Sequence, residues 1–198
     1  MSAELESHDV HVRVDGDRIS TPRLSLRPWR LDDAEAALAV YGTDDVARWL
    51  SPAMQRVPDA DSMRALLQHW LSEELPAPQG RWAVELSGSG ELIGAVAVLP
   101  LPPYGEDLEI ACQLTPATWG KGYAAEAGHA IAHHAFVSGV EELFAVVRTQ
   151  NGRGAATAQR VGMEWVGETE KYYDLRLQVY RLRKGELDVP QTIPVQRS

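Results

Sequence analysis

Leu-Thr-Pro-Ala-Thr-Trp-Gly-Lys-Gly-Tyr-Ala-Ala-Glu-Ala, residues 114–127, marks a change of pattern in the chain. A predicted strand over 108–114 ends there, a loop with Gly120 and Gly122 follows, and residues 124–137 are typical of a helix. Glycine allows a ligand to approach the backbone closely, and the first turn of a helix offers unpaired N–H groups. The segment favours a pyrophosphate site; the alternative is a tight strand-to-helix turn without a ligand.

Two common phosphate motifs fit this segment poorly. A Walker loop ends in Gly-Lys-Ser/Thr, which the segment lacks. A dinucleotide fingerprint is formally met by Gly120, Gly122 and Ala125. However, the next strand should then end in an acid, and it ends in Arg148. A nicotinamide-dependent oxidoreductase is therefore the weakest of the interpretations.

Composition and charge limit the classes of partner. The chain has 198 residues, of which 44% are hydrophobic, and a formal net charge of −9. An acidic protein repels the phosphate backbone, so we expect no nucleic-acid partner and a mild preference for cationic small molecules. Residues 1–14 contain no apolar core of signal-peptide length, no stretch approaches the roughly 20 apolar residues of a membrane span, and Cys112 is the only cysteine. These features predict a cytoplasmic protein with neither a membrane partner nor an intramolecular disulfide.

Hydrophobic periodicity predicts the order β-α-α-β-β-β-α-β-α-β-β, with short turns that imply antiparallel neighbours. The predicted strands begin near residues 23, 81, 92, 108, 143, 164 and 175, and the predicted helices near 33, 59, 124 and 154. We expect residues 21–187 to form one α+β domain. The polar ends predict a disordered N-terminal segment, 1–20, and a tail, 188–198.

The chain contains four motifs in a fixed order, which are Thr21-Pro22-Arg23-Leu24-Ser25-Leu26-Arg27-Pro28, Leu114-Thr115-Pro116, Trp119-Gly120-Lys121-Gly122-Tyr123-Ala124 with Glu126-Ala127, and Asn151 followed by Val161-Gly162-Met163. By these motifs it resembles the GNAT superfamily of N-acetyltransferases, in particular the subgroup that includes enzymes acetylating ribosomal-protein N-termini. The resemblance extends from residue 21 to about residue 182. It implies a mixed, mostly antiparallel twisted sheet, flanked by helices and splayed at its central strands.

The same resemblance implies acetyl-CoA as the co-substrate and no metal. The loop amides would cradle the pyrophosphate, and they belong to Gly120, Lys121, Gly122, Tyr123, Ala124 and Ala125. Trp119 stands where the general family pattern has Arg or Gln. The backbone N–H of Leu114 would contact the thioester carbonyl, and the Asn151 side chain would contact the pantetheine arm.

Glu109 matches a frequent family glutamate and is the candidate base, although a solvent-facing strand carboxylate is the alternative interpretation. The usual proton donors of the family are absent, because their positions hold Ala158 and Gly154. The departing thiolate requires little assistance, since its conjugate acid has a pKa of about 8.5. Tyr173 is the candidate acid, and ordinary aromatic packing is its alternative.

The implied function is acetyl-CoA-dependent N-acetylation of a primary amine by direct attack on the thioester. The missing donors keep a catalytically silent acyl-CoA-binding module or sensor as the alternative. The acceptor would be a small-molecule or peptide amine, and the sequence does not distinguish an aminoglycoside, a polyamine and a peptide N-terminus. It also leaves open an acyl group larger than acetyl. A homodimer is compatible with the chain, although no pattern supports one. His129 and His133 lack the acid of a zinc motif.

Overall fold

The computed structural model describes residues 11–51 and 54–187. These residues form one nine-stranded sheet in the order β1-β2-β3-β4-β5-β6-β7-β9-β8. The strands are β1 (Arg13–Asp15), β2 (Arg18–Ser20), β3 (Leu24–Pro28), β4 (Gly80–Leu86), β5 (Leu92–Pro100), β6 (Leu108–Leu114), β7 (Glu142–Arg148), β8 (Glu164–Thr169) and β9 (Leu177–Arg183). The helices are α1 (Ala34–Tyr41), α2 (Asp44–Ala47), α3 (Ala60–Ser72), α4 (Tyr123–Val137) and α5 (Gly152–Val161), with 3₁₀ turns at Leu31–Asp33, Pro116–Thr118 and Lys184–Glu186.

The expected α+β class is confirmed, but three short elements escape sequence analysis. The β1 and β2 strands lie between residues 11 and 20, where the polar sequence predicted no strand, and α2 lies between two predicted helices. Each has at most four residues, too few for a periodic pattern. The β2 strand is stabilised by pairing with β3, in which Ile19 lies opposite Leu26. The Ile19 side chain is 1% exposed. Residues 1–10 and 188–198 of the expected terminal segments lie outside the described residues, and the domain bounds 21–187 stay a prediction.

The sheet carries an apolar layer on each face. Successive residues of β5 point to opposite faces, so Ala95 lies in the cluster under α1 and α3, and Val96 in the cluster under α4. The α3 helix is capped by the Asp59 side chain, which accepts from Ser62 N at 2.8 Å. Met63 and Leu67 of its apolar stripe are buried in the cluster that also contains Ala83 of β4 and Ala95 of β5. Among the described residues, no helix is both long and apolar enough to cross a membrane.

The central strands of the sheet separate after a short contact. The β6 strand pairs with β5 along its whole length, from Leu108 to Leu114. With β7 it runs parallel, and within the described part of the chain the two strands pair only between Glu109 and Phe144. Residues 110–114 of β6 therefore border a gap towards β7. The expected splay at the central strands is confirmed, and it lies directly before the glycine-containing loop.

Candidate active site

The glycine loop, residues 119–125, joins β6 to α4 through backbone conformations that suit glycine. Gly120 has a φ of +76° and Gly122 a φ of +82°, a region that L side chains rarely adopt. Gly122 caps α4, and its carbonyl accepts the N–H of Glu126 at 3.0 Å. The N–H groups of residues 123–125 precede this first bond of the helix, so they remain available to a ligand. The positive end of α4 favours an anion there.

A buried carboxylate holds the glycine loop against the start of β3. Glu126 is 8% exposed and accepts from Thr21 Oγ1 at 2.6 Å, from Arg23 N at 3.0 Å and from Arg23 Nε at 2.6 Å. Arg23 Nη1 also donates to the carbonyl of Lys121 at 2.9 Å. Sequence analysis quoted Arg23 and Glu126 within motifs but gave them no role. The sequence features that could have indicated this contact are an acid in the first turn of the helix after the loop and an arginine in the first motif.

Two side chains from opposite sides of the splay meet beside the loop. Trp119 Nε1 donates to the carbonyl of Leu114 at 2.9 Å, which lays the indole over the end of β6. Arg153, from the first turn of α5, places its guanidinium carbon 3.8 Å from the centroid of the Trp119 ring. A cation–π contact of this kind contributes about 0.5–1 kcal/mol at an exposed site.

The backbone N–H of Leu114 points into the gap between β6 and β7. Thr115 N donates to the carbonyl of Ile93 at 2.8 Å, so it points towards β5. Because backbone N–H groups alternate along a strand, the N–H of Leu114 points the other way, towards the gap before β7. The open N–H groups of α4 and the two glycines without Cβ atoms suit the phosphates of a long ligand. The N–H of Leu114 suits a carbonyl oxygen at the other end of the same ligand. These residues therefore fit acetyl-CoA.

Asn151 lies at the mouth of the splay and caps α5. Its Oδ1 accepts from Gly154 N at 3.0 Å. A Cβ atom on Gly154 would lie 2.7 Å from Asn151 Nδ2 and 3.0 Å from Val147 Cγ1. A larger residue at position 154 would therefore have to displace the Asn151 side chain or Val147. The expected contact between Asn151 and a pantetheine arm stays a prediction.

Glu109 and Tyr173 are brought together from distant parts of the sequence. Tyr173 OH donates to Glu109 Oε1 at 2.6 Å. Glu109 is 8% exposed, so the interpretation of a solvent-facing carboxylate is wrong. Burial raises the pKa of Glu109 to about 7, and the hydrogen bond from Tyr173 opposes that rise. Burial and the nearby Glu109 carboxylate raise the pKa of the Tyr173 phenol.

The tyrosine loop, residues 170–176, is fixed by a second set of contacts to Asp107, the residue directly before β6. Asp107 accepts from Lys171 Nζ and from Tyr172 OH, each at 2.6 Å, and these bonds lower the pKa of its carboxyl. Tyr173 and Asp174 have φ values of +56° and +52°, which are strained for residues other than glycine. The strained backbone therefore lies at the residue whose hydroxyl contacts Glu109. Sequence analysis missed this arrangement. The sequence features that could have indicated it are two adjacent tyrosines and two acids spaced i, i+2.

Most of the predicted site residues line one cleft of about 840 Å³. They are Glu109, Leu114, Trp119, Gly120, Gly122, Tyr123, Ala124, Ala125, Asn151 and Tyr173. Lys121 instead has an exposed side chain, and its carbonyl binds Arg23. Cys112 also lines the cleft, where burial raises the pKa of its thiol to about 12 and disfavours the reactive thiolate. Among the described residues, no three His, Cys, Asp or Glu side chains are grouped for a metal ion.

Comparisons with known proteins agree with this geometry. Residues 23–164 match the acetyltransferase (GNAT) domain model. The uncharacterized N-acetyltransferase YoaA of Bacillus subtilis is 25% identical over 155 residues, which cover 78% of this chain and 86% of that protein. A GNAT-family acetyltransferase from Bacillus anthracis superposes with a TM-score of 0.71, at 21% identity over 85% of this chain and 99% of that one. RimJ of Mycobacterium smegmatis, in complex with CoA-disulfide, gives a TM-score of 0.72 at 20% identity over 84% and 85% of the two chains.

The matched region contains β6, the splay, the glycine loop and all of α4 and α5. It covers most of the chain, including the strand-loop-helix unit from which the resemblance started. The chain therefore belongs to the GNAT family of acetyltransferases.

Proposed function

We propose that this protein moves the acetyl group of acetyl-CoA to a primary amine by direct attack of the amine on the thioester. The observation that carries the proposal is the position of Glu109: it is buried in the same cleft as the glycine loop and on the strand that leads into it. Membership of the GNAT family supports the use of acetyl-CoA, and the RimJ structure with CoA-disulfide supports a CoA-shaped groove.

Acetyl-CoA would supply the acetyl group as an activated thioester. The open N–H groups of residues 120–125 would hold the pyrophosphate, and Asn151 would border the pantetheine arm. The N–H of Leu114 would donate to the carbonyl oxygen, where negative charge develops as the amine attacks. None of these backbone donors titrates, so above about pH 7, where a phosphomonoester is almost fully ionised, we expect binding of the co-substrate to depend little on pH.

Glu109 would accept the proton that the amine must lose. A lysine-like amine has a pKa of about 10.4 and is almost fully protonated at neutral pH. A carboxyl with a pKa of about 7 is partly ionised there and is basic enough to take a proton. Tyr173 fits a role that orients Glu109 better than the role of an acid, because its own phenol pKa is raised. The departing thiolate can take its proton from water.

The test is a calorimetric titration with acetyl-CoA, with NADH and NADPH as controls, followed by an assay of amine-dependent thiol release. We expect saturable binding of acetyl-CoA, no binding of the dinucleotides, and release of CoA thiol with at least one amine. Failure to bind acetyl-CoA would contradict the proposal.

One observation favours a second candidate, a silent acyl-CoA-binding module. Ala158 and Gly154 stand at the positions of the usual family proton donors. This candidate predicts tight binding of acetyl-CoA without thiol release for any amine. The Glu109–Tyr173 contact favours the enzyme, because a module that only binds has no need for a buried carboxyl with a pKa near neutrality.

A further inference from the structure

The part of the cleft between the sheet and helices α1 and α3 is lined by an aromatic wall, which consists of Trp29, Tyr41, Trp49 and Trp70. The Trp70 ring is at its centre, with its centroid 5.9 Å from that of Trp29 and 5.5 Å from that of Tyr41. Trp29 and Tyr41 are 4% and 3% exposed, so they form a rigid base, while Trp70 is partly accessible. Large aromatic surfaces of this kind bind apolar groups and other rings.

A strip of the sheet with small alanine side chains at its centre connects the aromatic wall to the candidate base. On β6, Glu109, Ala111 and Gln113 point to the same face, and β5 places Ala97 opposite Ala111. Tyr41 OH lies 3.4 Å from Gln113 Oε1, which puts the wall at the Gln113 end of the strip. Gln113 lies four residue steps along the strand from Glu109, a distance of about 13 Å between their Cα atoms. The strip therefore has room for a ring at one end and an amine at the other.

The charges that line the cleft do not suit a polycation. Among the described lining residues, the acids are Glu73 and Glu109. Glu73 forms an ion pair with Arg81, whose guanidinium carbon lies 5.4 Å from the centroid of the Trp70 ring, so its charge is already balanced. The other charged lining residues are Arg148, Arg153 and Arg160. A second ammonium group on the acceptor would thus find no free carboxylate, although the whole chain has a net charge of −9.

We propose that the acceptor carries a single primary amino group on an apolar body of about one aromatic ring, which rests on the aromatic wall while the amine reaches Glu109. This inference rests on the proposed function and names the class of its acceptor. Among the candidates that sequence analysis left open, it disfavours polyamines and aminoglycosides. The Glu73–Arg81 pair is the specificity-determining contact, because it removes the acid that would otherwise hold a second ammonium group.

Calorimetric titrations with three amines test the inference without requiring turnover. The protein, with and without saturating CoA, is titrated with 2-phenylethylamine, ethylamine and 1,4-diaminobutane. We expect 2-phenylethylamine to bind about tenfold tighter than either of the others, because only its ring can be buried on the aromatic wall. Equal or tighter binding of 1,4-diaminobutane, or no measurable binding of 2-phenylethylamine, would overturn the inference.

Thiol release with the same amines separates this inference from the proposed function. If 2-phenylethylamine binds as expected but no amine releases thiol, the proposed function fails and the inference about the binding site holds. If 1,4-diaminobutane is the better substrate, the enzyme is confirmed and the inference fails.

Variants of the wall and of the ion pair make the test specific. Trp70→Leu should weaken 2-phenylethylamine binding about fivefold and leave ethylamine unchanged. Leu71→Ala is the matched control, since Leu71 is adjacent on α3 and 49% exposed, away from the cleft lining. Arg81→Met removes the guanidinium from Glu73 and leaves only the exposed His69 imidazole beside it, at 3.6 Å among the described residues, so it should improve binding of 1,4-diaminobutane about tenfold. The double variant Glu73→Gln/Arg81→Met should restore the original preference; if it does not, or if Arg81→Met has no effect, the ion pair does not set specificity.

Discussion

The glycine loop and the tyrosine loop line the same cleft, but different forces hold them. The glycine loop depends on backbone conformation at Gly120 and Gly122 and on the start of a helix. The tyrosine loop depends on side-chain hydrogen bonds, which pin two adjacent tyrosines to Asp107 and Glu109. The first presents backbone donors that do not titrate, and the second presents a carboxyl with a pKa of about 7.

This difference separates binding from chemistry. A site made of backbone N–H groups tolerates changes of most nearby side chains, but not a Cβ atom where the backbone requires glycine. A site made of hydroxyl–carboxylate contacts keeps its shape when one hydroxyl is removed, but its proton affinity changes. We therefore expect co-substrate affinity and turnover to respond to different substitutions and differently to pH.

The largest effect should come from Gly122→Trp. At a φ of +82°, a side chain strains the backbone, and its Cβ would lie 3.3 Å from Arg23 Nη2, in the anchor of the loop. We expect acetyl-CoA affinity, measured by calorimetry, to fall by about a hundredfold or more. Gly139→Trp is the control, because Gly139 has a φ of +98° in open space at the other end of α4. It should have a similar stability cost and unchanged affinity. A folded Gly122→Trp protein with normal affinity would contradict the assignment of the loop.

Glu109→Gln should have the next largest effect, and it should affect turnover alone. Removal of a general base lowers rates by about 10² to 10⁴. In the wild type, turnover should rise with pH through about 7 as Glu109 ionises, and the variant should lose that rise. The affinity for acetyl-CoA should stay within about twofold in both proteins. Glu106→Gln is the control, since Glu106 is exposed in the preceding loop. An unchanged pH profile in Glu109→Gln would indicate another base.

The same contrast explains how far sequence analysis reached. The β6 strand and α4 were predicted within one residue, because periodicity, two glycines and a helix start are all local signals. The contact between Tyr173 and Glu109 joins residues far apart in sequence, and it requires β9 to lie between β7 and β8. No local pattern encodes that strand order. The aromatic wall is also assembled from separate segments, because Trp29 follows β3, Tyr41 ends α1 and Trp70 lies on α3.

Tyr173→Phe should move the pH profile more than it lowers the maximum rate. The Tyr173 hydroxyl donates to Glu109 and stabilises its ionised form, so its loss should raise the pKa of Glu109 above about 7. The rise of turnover should shift to higher pH, and the rate at pH 7 should fall about three- to tenfold. Tyr172→Phe is the matched control, because it removes a hydroxyl from Asp107 and leaves the Glu109 contact in place. If both variants shift the profile equally, the position of the whole loop matters rather than the Tyr173 hydroxyl.

The smallest effect should come from Arg153, a side-chain contact on the glycine-loop side of the cleft. Its guanidinium lies on the Trp119 ring beside the expected phosphate site, so we expect Arg153→Leu to weaken acetyl-CoA binding about two- to fivefold. Arg153→Lys keeps the charge but loses the planar stacking on Trp119. If it binds as weakly as Arg153→Leu, stacking positions the cation; if it binds like the wild type, charge alone contributes. Unchanged affinity in both variants would leave the glycine loop a purely backbone site and make the contrast with the tyrosine loop complete.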